Sequence, residues 1–141
     1  MKYLAFSLLV ACSNGPGTEE AQSPSCVDAM THSDLAWIQT NVFDKSCAVS
    51  GCHDARGHSG QLILTDGNSH ANLVAKAAVN PGTDGWKRVT AGDPSASYLM
   101  VALGQEAGPM PTDGFMPLQA EALCQAKIDA VSRWITAGAA E

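Results

Sequence analysis

Bulky aromatic side chains and positive charges are both scarce in this chain of 141 residues. Phe, Trp and Tyr make up 6% of it, so the large apolar groups that organise a core are few. Only eight lysines and arginines stand against fourteen carboxylates, which gives a formal net charge of −6. Without a basic cluster to neutralise phosphates, neither nucleic acid nor simple adsorption to anionic lipid is expected. The length fits one domain preceded by a leader.

No apolar run is long enough to span a bilayer, but the N-terminus carries an export signal. Lys2 precedes the short apolar stretch 3–10, and Leu9-Val10-Ala11-Cys12 is similar to a bacterial lipobox. We predict a lipoprotein signal peptide over residues 1–11, with Cys12 lipidated, which places the protein in the periplasm or on the outer surface, anchored to the bacterial envelope. An ordinary secretory signal is the alternative.

Residues 12–25 contain no large apolar side chain and are rich in Gly, Pro and Ser. Such a segment cannot bury surface, so it is predicted to be a flexible linker. The folded domain is therefore expected to span residues 26–141.

The most informative motif is Cys47-Ala48-Val49-Ser50-Gly51-Cys52-His53. Two thiols followed at once by an imidazole is the pattern of covalent haem attachment, in which the sulfurs form thioethers with the porphyrin and the histidine ligates its iron. Four residues separate the cysteines here instead of the usual two, while His53 still directly follows Cys52. Because nothing in the chain repeats, one covalent haem c is predicted.

Two other interpretations of this motif involve no haem. One is a disulfide between Cys47 and Cys52. The other is a zinc site formed by these cysteines with His53, His58 or His70. Zinc is disfavoured because adjacent residues rarely both point at one tetrahedral centre, and the chain has no second closely spaced ligand pair.

Capping residues and apolar residues spaced by three and four predict three helices, within residues 33–42, 93–104 and 124–138. The first runs into the attachment motif. The last carries Trp134 and ends at a glycine. Between them the chain is rich in Gly, Asn, Asp and Ser, and only residues 71–78 look helical.

This order of helix, attachment turn, loops and terminal helix resembles the cytochrome c fold over about residues 35–139. The resemblance is carried by Val42-Phe43, by Gly92-Asp93-Pro94-Ser95 before Tyr98-Leu99, by late Met-Pro pairs and by the segment Trp134-Ile135-Thr136-Ala137-Gly138-Ala139. Together with the four-residue spacer, these segments resemble those of small monohaem cytochrome c domains of myxobacteria and planctomycetes. The resemblance implies an all-α fold of three to four short helices and loops around one haem.

In that family the first and last helices cross. The resemblance therefore implies that apolar residues of the two helices form the core, namely Ile38, Val42 and Phe43 against Val131, Trp134 and Ile135.

The second axial ligand of the iron is expected to be a methionine in one of two Met-Pro pairs, Met116-Pro117 or Met110-Pro111. In the family the ligand precedes the aromatic residue of the last helix by about eighteen positions, which favours Met116. The residues around Met110 look more like the family's loop, so both candidates stay open. Met100 lies within a predicted helix and is expected in the core.

Other polar residues are less favoured candidates for contact with the haem. His58 is too close to His53 in sequence to reach the opposite face of one iron, whereas His70 is a distant second candidate as an axial ligand. In the family a basic residue near Lys87 and Arg88 pairs with a haem propionate, and a solvated surface charge is the alternative.

Cys26 and Cys124 remain once lipid and haem have taken the other cysteines. In an oxidising compartment two leftover thiols suggest a disulfide, although two separate buried thiols are the alternative. Closing a loop of that size is worth roughly 4 kcal/mol in the chain-entropy model.

These expectations describe a single-electron carrier rather than an enzyme, because both axial positions of the iron would be filled. Its partners would be redox proteins of the cell envelope and, through the lipid, the membrane. Two alternatives remain: a haem-based sensor or enzyme of gas or peroxide with an open axial position, and a haem-free, disulfide-bonded surface lipoprotein.

Overall fold

The structure is a computed structural model that describes residues 23–141. The predicted signal peptide, Cys12 and most of the predicted linker lie outside the described residues. Within that range no helix has the length and apolar character needed to cross a membrane.

Among residues 23–141, five α-helices form the framework: α1 (Pro24–Ala29), α2 (Leu35–Ile38), α3 (Ser69–Leu73), α4 (Tyr98–Ala102) and α5 (Gln125–Thr136). A π-helix, Gln39–Cys47, continues directly from α2, and 3-10 turns occupy Ser59–Gln61 and Pro94–Ala96. Over residues 23–141 the only β pairing is three isolated bridges, such as Val74 with Val89. The predicted all-α class is therefore confirmed.

The helix predicted before the attachment motif begins where its cap residue indicates. The Asp34 side chain accepts a hydrogen bond from the Trp37 backbone N–H at 2.8 Å and so satisfies a free donor of the first turn. After Ile38 the winding widens into the π-helix, which sequence periodicity does not predict. There the buried amide of Gln39 donates to the Asp44 carboxylate at 2.7 Å and to the Leu64 carbonyl at 2.8 Å.

Two other helices differ from their predicted bounds. The helix expected over 71–78 covers only Ser69–Leu73, because Val74 turns extended to pair with Val89. The second predicted helix is divided at Ser97, whose buried hydroxyl accepts from the Thr90 N–H at 2.9 Å and donates to the Asp93 carbonyl at 2.8 Å. Helix α1 was not predicted and begins at Pro24, two residues before the predicted domain boundary.

The core lies where α5 packs against α2 and the π-helix. All six residues expected at this crossing are buried in one apolar cluster: Ile38, Val42, Phe43, Val131, Trp134 and Ile135. Met100 joins the same cluster from α4, as predicted. At the end of α5, Gly138 adopts a φ of 105°, in the left-handed region that glycine tolerates best. The stop signal of this helix was therefore correctly identified.

Helix α1 is fastened to α5 in two ways. Cys26 and Cys124 form a disulfide with a Cα–Cα distance of 6.3 Å, which confirms the predicted pairing. The guanidinium of Arg133, on α5, donates to the carbonyl of Ala29 at 2.6 Å and to that of His32 at 2.9 Å. These bonds reach the last carbonyl of α1 and a carbonyl of the turn that follows it.

Removal of the disulfide should destabilise the fold by about 4 kcal/mol, because it closes a loop with a sequence separation of 98 residues. The variant Cys26→Ser/Cys124→Ser and the parent protein would be compared by urea unfolding. A loss below about 1 kcal/mol would show that the bridge adds little to the Arg133 bonds.

Candidate functional site

The Cys47-to-His53 motif forms a compact turn at the end of the π-helix. The backbone N–H of Ala48 donates to the Phe43 carbonyl at 2.7 Å, which ends the helix. The His53 N–H then donates to the Cys47 carbonyl at 3.1 Å, so the chain returns to the level of the first cysteine. The four-residue spacer is thereby accommodated in a closed turn.

The chain beyond His53 folds back onto this turn. The Ser59 N–H donates to the Cys52 carbonyl at 2.9 Å, and the Asp54 carboxylate accepts from the Gly57 N–H at 2.5 Å. Gly57 lies directly on the backbone of Gly51, so a Cβ at position 57 would collide with it. This close approach requires glycine and fixes the loop that follows the histidine.

Cys47, Cys52 and His53 line one cavity of about 260 Å³. Most of its wall is apolar, and the apolar lining residues come from four parts of the chain, including Leu62, Leu64, Leu73, Leu99, Leu103 and Pro117. Several residues that line the cavity are also exposed to solvent, among them Val49 and Leu118, which are each 39% exposed. It is thus an apolar cleft with both thiols and the imidazole in its wall.

The imidazole of His53 is held in one tautomer. Its Nδ1 lies 3.0 Å from the Ser59 carbonyl oxygen, which can only accept, so Nδ1 carries the proton and Nε2 keeps its lone pair. Burial lowers the pKa of His53 below its usual value, with a smaller contribution from the nearby Arg88 charge. The ring is therefore neutral at pH 7, the form that ligates a metal, and its orientation is set by a backbone carbonyl.

Neither cysteine of the motif is bonded, so the proposed Cys47–Cys52 disulfide is absent from the structure. Burial raises the pKa of the Cys47 thiol to about 12, and the neighbouring Cys52 acts in the same direction. At neutral pH Cys47 therefore remains a protonated thiol.

The two methionine candidates differ sharply in position. Met116 is partly buried, packs against the core and lines the cavity, and its backbone N–H donates to the Ala102 carbonyl at 2.8 Å. Met110 is 64% exposed and is not part of the cavity wall. The loop before α5 thus brings only Met116 to the thiols and His53.

Arg88 and Tyr98 contribute polar side chains to the mainly apolar cavity wall. The Arg88 guanidinium donates to the carbonyls of Asn72, Gly60 and Gln61, each at 2.9 Å, which fixes it beside the cleft. Tyr98 is only 6% exposed, and its hydroxyl has no hydrogen-bond partner within residues 23–141. A buried hydroxyl is costly without a partner, so the cleft suits a ligand that carries an acceptor for this hydroxyl.

The remaining histidine and lysine candidates do not line the cavity. His70 places Nε2 2.9 Å from the Ala139 carbonyl oxygen, a bond that fastens α3 to the C-terminal segment, and it does not line the cavity. His58 is also outside the cavity wall. Lys87 is exposed and faces a separate shallow pocket beside Trp86.

The expectation of a metal-binding group made by the chain's own side chains is wrong. In the part of the chain that the structure describes, no three His, Cys, Asp or Glu side chains are placed to hold a metal ion. The same finding excludes the zinc alternative, and no ligand cluster in the described residues supports the predicted haem or iron. The physical reason is that Cys47, Cys52 and His53 are distributed along a cavity wall and do not converge on one point.

Comparison with protein-family models, with curated proteins and with solved structures finds no match to this chain.

Sequence reasoning identified the thiols, His53, Met116 and Arg88 but missed Tyr98 and Ser59 as parts of the site. In the sequence, Tyr98 stands out only as part of the family resemblance. Its significance depends on its hydroxyl, which has no hydrogen-bond partner among residues 23–141. Ser59 acts through its backbone carbonyl, which leaves no trace in side-chain chemistry.

The raised pKa predicts that Cys47 is a poor nucleophile in the folded, cofactor-free polypeptide. At pH 8, iodoacetamide should alkylate Cys47 at least about tenfold more slowly in folded Cys52→Ala protein than in urea, because only the thiolate reacts. The difference should shrink as the pH rises toward 12. Mass spectrometry of peptides over time provides the rates, and equal rates in both states at pH 8 would contradict the assignment.

Proposed function

We propose that this protein is a monohaem c-type cytochrome that carries single electrons at the bacterial cell envelope. The observation that supports this best is the joint placement of two unbonded thiols, a neutral imidazole and Met116 in the wall of one apolar cleft. When bound, haem supplies a reversible one-electron couple at its iron. A porphyrin brings four iron ligands of its own, so the absence of a three-residue ligand cluster does not weigh against this proposal.

In this proposal Cys47 and Cys52 hold the porphyrin covalently. Each thiol would form a thioether with a vinyl group of the porphyrin, an addition that needs no external oxidant or reductant. Both cysteines are unbonded and line the same cavity, which supports this role.

His53 and Met116 are the proposed axial ligands. The Ser59 carbonyl orients the imidazole, and the hydrogen bond at Nδ1 leaves Nε2 free to donate its lone pair. Met116, which lines the same cavity, would supply a thioether, and a thioether ligand raises the reduction potential relative to a second imidazole. Two iron ligands from the chain would leave no site for a substrate, so we expect electron transfer without substrate turnover.

The polar side chains of the cleft fit the same cofactor. The Tyr98 hydroxyl can donate to a carboxylate, and the Arg88 charge, which also lines the cavity, favours an anionic group. A porphyrin with apolar faces and carboxylate side chains suits a mainly apolar cavity that contains these two donors.

The cellular context of the proposal depends on sequence alone. The lipobox-like segment ending at Cys12 supports a lipid anchor, and export supports haem attachment outside the cytoplasm. Redox proteins of the envelope are the expected partners.

Covalent haem is tested by expressing the full chain with a periplasmic cytochrome c maturation system. We expect an alkaline pyridine spectrum to give one haem per chain that survives acid and acetone, because the thioethers are covalent. Cys52→Ala should abolish normal attachment, whereas Ser50→Ala, in the spacer between the cysteines, should retain it. Parent protein without haem after correct processing would rule out the carrier function and leave the surface lipoprotein alternative.

The axial assignment is tested by replacing each methionine in the haem-loaded protein. Met116→Ala should abolish the weak red absorption band of thioether-to-ferric-iron coordination and allow the reduced protein to bind carbon monoxide. Met110→Ala should change neither property, because its side chain is exposed and lies outside the cavity wall. Carbon monoxide binding by the unmodified reduced protein would instead favour the sensor or enzyme alternative.

A further inference from the structure

An exposed, apolar and acidic loop borders the mouth of the cleft. This loop, residues 104–121, connects α4 to the segment before α5 and is called the lip below. We propose that the lip docks a redox partner whose contact surface has an apolar centre and a basic rim. The proposal rests on the proposed electron-carrier function and adds to it the chemistry of the partner.

Three large apolar side chains of the lip are exposed to solvent. Met110, Phe115 and Leu118 are 64%, 48% and 39% exposed, and they lie within nine positions of one another in the sequence. The Phe115 ring lies over Gly104, where an added Cβ would come within 3.5 Å of it. Exposed apolar residues grouped in this way are typical of contact surfaces.

The lip is fixed at the opening of the cleft. Leu118 lines the cavity while being exposed, and so does Asp113. The Met116 backbone bond to Ala102 attaches the middle of the lip to the end of α4. A partner seated on the lip would therefore be in contact with the edge of whatever fills the cleft, which is where electrons must enter or leave.

The charges of the lip have one sign. Glu106, Asp113 and Glu121 are all exposed, and no Lys, Arg or His occurs within residues 104–121. Residues 44–60, several of which also line the cavity, mix Asp44 and Asp54 with Lys45 and Arg56. The field at the mouth is therefore asymmetric, negative on the lip side, and would orient a partner with complementary positive charge.

The small size of the lip suits a transient complex. Electron-transfer encounters bury less surface than stable complexes, below about 1,200 Å² in total, and rely on charge for fast association. Three exposed apolar side chains and three exposed carboxylates in one loop match that pattern better than a permanent subunit interface.

The test uses reduced, haem-loaded protein and two small oxidants as probes: tris(phenanthroline)cobalt(III), which is cationic and aromatic, and hexacyanoferrate(III), which is anionic. Second-order rates would be measured by stopped flow over a range of ionic strength. Glu106→Lys/Asp113→Lys/Glu121→Lys should slow the cobalt complex about tenfold at low ionic strength and accelerate hexacyanoferrate.

The matched control places the same charge change elsewhere. Asp66→Lys/Asp129→Lys/Glu141→Lys alters the net charge equally but replaces exposed carboxylates outside the cavity wall and the lip. At about 0.1 M ionic strength, where the Debye length is about 10 Å, we expect it to change either rate much less than the lip variant does, because distant charges are screened there. Equal effects of the two triple variants would overturn the lip as a local docking surface.

The apolar part is tested separately. Phe115→Ser/Leu118→Ser should slow the cobalt complex severalfold, whereas Val27→Ser/Met30→Ser, which removes exposed apolar groups on and just after α1, should leave it unchanged. No difference between these pairs would contradict an apolar contact. The haem content of every variant is measured first by the pyridine spectrum. Absence of haem from the parent protein would contradict the carrier function. Normal haem content with unaltered rates in the lip variants would contradict the docking role of the lip.

Discussion

The packing of α5 across α2 and the π-helix is the interaction on which the rest of the structure depends. Trp134 and Ile135 on one side and Ile38 and Phe43 on the other are almost fully buried. Because the π-helix ends at Cys47, this crossing sets the position of the first cysteine and of the turn that follows. The site is thus placed by core residues that take no part in its chemistry.

From this fixed point the cleft is assembled by backbone hydrogen bonds. His53 is tied to Cys47 and Ser59, Leu64 donates back to the His53 carbonyl at 2.8 Å, and Met116 is tied to Ala102. Loops with so many glycines have little apolar surface to bury, so these bonds take over the role that side-chain packing has in the helices. The arrangement keeps a mainly apolar cavity open in a chain with few aromatic residues.

The sequence predicts the parts of this fold that depend on local chemistry. The Asp34 cap, the apolar stripe of α5 and its stop at Gly138 are all visible because they act within a few residues. The π-helix could not be predicted, since the Gln39 amide that accompanies it bonds to Leu64 and accepts from Ser69, both distant in sequence. Likewise, spacing favours Met116 while the residues around Met110 favour Met110, and only the folded loop shows which one lines the cavity.

The clamp between α1 and α5 has a mechanical consequence. The disulfide at Cys26 and the Arg133 bonds to Ala29 and His32 lie at the point where the N-terminal segment enters the domain. Force on that segment is transmitted directly to α5 and to the core residues that α5 packs against. Force applied to the chain just before Pro24 would therefore act on α1 and α5 together and would not separate α1 from the domain.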